Sequence, residues 1–105
     1  MERLIVKYKD IALGELKYSK GLFVYKVFEE NINKAYQKKY PIMLYGVDAN
    51  FIEKDLPFSL DDMIPDEGTN LYKEAQIDKD DNQFEKLVKV ANLPLSDQGL
   101  YVCIE

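Results

Sequence analysis

Three short runs of alternating residues, separated by turns of two or three residues, open this chain and constrain its fold more than anything that follows. Between Arg3 and Tyr8, Leu4, Val6 and Tyr8 fall on one side of an extended backbone, and Arg3, Ile5 and Lys7 on the other. That is the period-two pattern of a half-buried strand. Lys9-Asp10 supplies a turn, Ile11 to Lys17 a second strand, Ser19-Lys20-Gly21 another turn, and Leu22 to Val27 a third strand. Connections this short join antiparallel neighbours, because a parallel pair needs a long crossover. The opening residues therefore predict a β meander. Gly14 lies inside the second strand, where a glycine marks a bulge or the close approach of another group.

The rest of the chain changes period. Phe28, Ile32, Ala35 and Tyr36 share one helical face, which predicts a helix over 28–38 that ends before Pro41. Pro41 to Tyr45 reads as a short extended segment ending at Gly46. Ser59, with Asp62 three residues on, predicts an N-cap and a short helix from Leu60 that stops before Pro65. Leu71 to Gln76 reads as a further helical segment. Asp80 with Gln83 forms a second capping box, opening a helix whose Phe84, Leu87, Val88 and Ala91 line one face. Pro94 closes that region, Asp97-Gln98-Gly99 turns the chain, and Leu100 to Ile104 forms a last strand. There is no repeat and no low-complexity linker. The expected architecture is α+β in one domain spanning 1–105: an N-terminal antiparallel β meander, several short helices and a C-terminal strand.

A chain of 105 residues holds one core. It buries only about 60–65% of the surface its unfolded form exposes, so its stability margin is thin. Eight tyrosines and five phenylalanines argue against disorder. A net charge of −5 argues against nucleic-acid binding by this chain alone, since phosphate contacts need clustered Lys and Arg. Lys34, Lys38 and Lys39, with Tyr36 and Tyr40 nearby, read as a solvated helix face. The single cysteine, Cys103, excludes an internal disulfide, and its apolar surroundings predict a buried, reduced thiol. Histidine is absent, which removes the commonest general base and metal ligand. No secretory leader and no membrane-spanning run is legible, so a cytoplasmic location is expected.

The acidic clusters read as structure rather than chemistry. Asp78 to Asn82 begins like a calcium loop, but Gln83 stands where that loop requires glycine and Lys89 where it requires its bidentate glutamate. Asp61, Asp62, Asp66 and Glu67 lack any partner nucleophile or base, so helix capping and a solvated, partner-facing edge account for them. There is no glycine-rich phosphate loop and no kinase catalytic-loop signature. The residues predict a non-enzymatic domain without cofactor or metal.

One order of motifs resembles a known family. Tyr8 to Leu16, with its Leu-Gly-Glu-Leu segment, is followed by Phe23-Val-Tyr25 and then by Pro41-Ile-Met-Leu44. Next come Pro57-Phe58, Met63-Ile64-Pro65 and Glu67-Gly68, then Asp81-Asn-Gln-Phe84-Glu-Lys-Leu87-Val, and last Gly99-Leu-Tyr-Val. In this order the chain resembles the N-terminal subdomain of the HipA toxin kinases over nearly its whole length. Asp66 either adds to the spacing before Glu67-Gly68 or stands where the family has Glu, and Thr69 stands where some stand-alone relatives carry a bulky aromatic. In HipA a kinase core follows this subdomain; here the chain stops at that point, so it looks like the separate HipS-type antitoxin subunit of HipBST toxin–antitoxin systems.

The resemblance implies an antitoxin that binds and neutralises a HipT-like serine/threonine kinase, within a system that includes a HipB-like helix-turn-helix DNA-binding protein. It implies a contact edge running from Phe58 to Tyr72: Phe58, Met63, Ile64, Pro65, Asp66, Glu67, Gly68, Thr69, Leu71 and Tyr72. Pro65 and Gly68 would fix the corner, Asp66 and Glu67 would face basic residues of the kinase, and the apolar members would divide between core and contact. Phe58, Ile64 and Leu71 equally suit plain core positions. A different class of reading is a subunit that completes the kinase fold or its DNA-bound repressor complex without neutralising toxicity.

Overall fold

The computed structural model describes residues 3–91 and 99–104. Strands β1 (Leu4–Tyr8), β2 (Ile11–Ser19) and β3 (Leu22–Val27) form the expected antiparallel meander. β4 (Phe51–Glu53) pairs antiparallel with β3, and β5 (Leu100–Ile104) with β1. The sheet order is β4-β3-β2-β1-β5, so the last strand returns beside the first. Between them lie α1 (Glu29–Gln37), α2 (Phe58–Asp61), α3 (Asn70–Glu74) and α4 (Gln83–Ala91). The architecture is α+β. The strand β4 was not foreseen, because three residues carry too little alternation to register. The expectations at Pro94 and at Ser96 to Gln98 lie outside the described residues.

Alternation places the core. Leu4, Val6, Leu16, Phe23, Tyr25 and Val102 point to one face of the sheet and are buried. Ile32 and Ala35 of α1, Leu60 of α2 and Phe84 and Leu87 of α4 close over that face. The opposite face carries Ile5, Lys7, Glu15, Lys17, Val24, Lys26 and Ile52, and none of these is buried. Gly14 meets both expectations made for it. The register slips between Val6 and Lys7, leaving Leu13 as the extra residue of a bulge beside Gly14. A Cβ at Gly14 would also lie 2.6 Å from the Lys26 carbonyl oxygen and 2.8 Å from the Tyr25 ring. That ring is 1% exposed, and its hydroxyl donates to the Val47 carbonyl at 2.7 Å. Burial pushes the Tyr25 pKa far above the ordinary phenol range.

Helix α1 begins one residue after Phe28 and is tied to β2 by the Asn31 side chain, which donates to the Ala12 carbonyl at 2.8 Å. Glu29 and Glu30 sit in its first turn and Lys34 in its last, as the helix dipole favours. Pro41 to Tyr45 is not extended. Ile42–Tyr45 forms a 3₁₀ turn, closed by Gly46 at φ 69°. Four apolar residues in a row carry no period, and the turn resolves them by burying Ile42 alone. Cys103 is half-buried rather than buried, because it projects from β5 opposite Ile5, on the face away from the core.

Candidate functional site

The segment from Leu56 to Tyr72 is anchored at a few points and open between them. Leu56 and Leu60 enter the core. Helix α2 starts at Phe58, two residues before the expected start, with Pro57 in the extended cap conformation (φ −59°, ψ 151°). Proline presets that geometry without a side-chain acceptor. Ser59 is therefore not the cap. Its hydroxyl donates to the Tyr45 carbonyl at 2.6 Å and pins α2 to the 3₁₀ turn. Two further turn bonds carry the chain past α2, from Met63 N–H to Leu60 and from Ile64 N–H to Asp61, before Pro65 interrupts.

The predicted contact residues divide clearly. Phe58 is 82% exposed and Leu71 43% exposed, so neither is a core residue. Met63 and Ile64 are half-buried and pack against the core, and Pro65 is half-buried. Asp66, Glu67, Gly68 and Thr69 are exposed at the corner. Gly68 adopts φ 89°, which a side chain disfavours. Thr69 caps α3: its hydroxyl accepts from the Tyr72 N–H at 3.2 Å and donates to the Asp66 carbonyl at 2.8 Å. Tyr72 is half-buried against a small second cluster of Ala75, Ile77 and Val90. Partial burial, then the charges of Glu67, Asp78 and Asp81, hold its phenol above the ordinary range.

Asp61, Asp62, Asp66 and Glu67 converge on one shallow cavity of about 320 Å³, opposed by Lys79 and Lys86. Asp61 also accepts from the Gln83 side chain at 2.9 Å, which locks α2 to α4. The cap of α4 is not Asp80 but Asn82. Its side chain accepts from the Glu85 N–H at 2.8 Å, while Glu85 accepts from the Asn82 N–H at 3.3 Å. The reciprocal box is thus present two residues later than expected, and helix α4 starts at Gln83. Asp81 instead accepts from the Asp78 N–H and pairs with Lys89. The Lys89 ammonium, then that backbone bond, holds the Asp81 carboxyl below its ordinary 3.8. Among the described residues, no group of three or more Cys, Asp or Glu side chains is arranged to hold a metal ion.

Two exposed apolar side chains beside this edge were missed. Met43 is 67% and Leu44 84% exposed, on the turn that Ser59 ties to α2. The signal was an apolar run too long for one buried position. The arrangement offers protruding apolar groups rimmed by carboxylates, which suits docking onto a protein surface. No protein-family model, curated protein or solved structure matches the chain.

Proposed function

We propose that this chain is a cytoplasmic, non-catalytic binding subunit that docks through the Phe58–Tyr72 edge onto a HipT-like serine/threonine kinase and neutralises it. One observation supports this reading above the others. Phe58 stands 82% exposed on a helix whose next apolar residue, Leu60, is wholly buried. A solvent-exposed phenylalanine contributes little to the isolated fold, but an aromatic side chain of this size supplies about 150–250 Å² of apolar contact when a partner covers it. Leu44, Met43 and Leu71 extend that contact, and the carboxylates of Asp61, Asp62, Asp66 and Glu67 face basic groups around a phosphate-binding site. Such rim charges contribute to encounter rate and orientation more than to affinity.

The test is co-expression of this chain with a HipT-like kinase, with growth and kinase autophosphorylation as readouts. Restored growth, a co-purifying complex and lost autophosphorylation are the expected outcome. A complex that forms while growth inhibition persists would instead fit a subunit that completes the kinase or its repressor complex. Absence of a complex contradicts both readings.

A further inference from the structure

Charge is distributed unevenly along this acidic chain. Residues 3–47 hold nine Lys and Arg against four Asp and Glu, whereas residues 48–85 hold three against twelve. The fold turns this asymmetry into two surfaces. Among the described residues of the open sheet face, Arg3, Lys7, Lys17 and Lys26 surround the carboxylate of Glu15, which pairs with Arg3 and lies 3.6 Å from Lys17. Within this basic field Val24 and Ile52 are cross-strand partners, 36% and 65% exposed, forming a small apolar platform. Around α2 the helical layer carries the opposite balance: Phe58 is exposed on the helix that ends at Asp61, and the cavity there is lined by Asp61, Asp62, Asp66 and Glu67 against Lys79 and Lys86.

We infer that copies of this chain associate head to tail, the open sheet face of one receiving the acidic Phe58 face of the next. Charge complementarity selects this pairing over the symmetric ones. Sheet face against sheet face sets two net-basic surfaces together, and helical face against helical face sets two net-acidic ones together. Both oppose association once water is excluded. Basic against acidic face matches opposite charges around an apolar contact of Phe58 with Val24 and Ile52. The two faces lie on opposite layers of one molecule, so the contact is heterologous and does not close at two copies. The net charge of each copy keeps the association weak, and salt screens that repulsion beyond about 8 Å at physiological ionic strength.

Sedimentation velocity on the purified chain tests this without any kinase, so the result is independent of the function proposed above. The expected result is a mean mass that rises with concentration up to about millimolar and passes the dimer mass. Ile52→Glu and Phe58→Glu each alter an exposed side chain, and each lowers the association constant at least about tenfold. Mixed in equal amounts, the two variants regain one intact contact and form a mixed dimer that grows no further. Lys17→Gln with Lys26→Gln weakens association in the same direction without touching the apolar platform. A mass that stays monomeric, a wild-type dimer that stops at two, or a mixture that forms no mixed dimer overturns the inference.

Discussion

A methyl group added at Gly14 would lie 2.6 Å from a backbone oxygen and 2.8 Å from a buried ring, and neither can move without opening the β2–β3 ladder. Gly14→Ala is therefore expected to destabilise the fold by about 1–3 kcal/mol, read as a lower urea midpoint. Phe58 and Leu60 make a sharper pair, two residues apart on one short helix. Leu60→Ala is expected to cost about 2–5 kcal/mol because it empties a fully buried site. Phe58→Ala is expected to leave the urea midpoint within about 0.5 kcal/mol of the parent while weakening kinase binding. Asp81 titrates in a definite direction. Its carboxyl is held below 3.8 by Lys89 and a backbone N–H. The charged form therefore stabilises the fold above that ordinary value, and this contribution is lost as pH falls through the depressed one. Acid titration of the urea midpoint should show the loss below about pH 4, and Asp81→Asn should lower the neutral-pH midpoint and flatten that part of the curve.

At the scale of elements, the meander was legible because each of its strands is long enough to alternate and each turn too short to do anything but reverse the chain. Helices α1 and α4 were legible for the same reason at a period of 3.6. What failed was assignment of caps and short elements. Ser59, Asp80 and Asn82 are all competent caps by residue type. Which one acts depends on what else competes for the side chain, here the Tyr45 carbonyl for Ser59. Asn82 acts as the α4 cap, so Asn82→Ala is expected to cost about 1 kcal/mol and to fray the first turn of α4, whereas Asp80→Ala should cost much less. Circular dichroism with urea denaturation separates the two. The Phe58–Tyr72 edge was legible only as a list of residues. Its division into anchored Met63 and Ile64 and exposed Phe58 and Leu71 depends on the long-range placement of α2 against the 3₁₀ turn, which no local pattern encodes.

At the scale of the whole molecule, one face of the sheet and one side of each helix are committed to the core, and what remains is two differently charged outer surfaces. Both offer apolar groups at a charged rim. The central claim is that the helical surface works by covering a kinase. Calorimetric titration of a purified HipT-like kinase with this chain, repeated with Phe58→Ala, tests it most directly. The account predicts saturable one-to-one binding at micromolar concentration or tighter, weakened by about 2 kcal/mol or more when the ring is removed. No binding at that concentration, or binding that ignores the loss of Phe58, would contradict it.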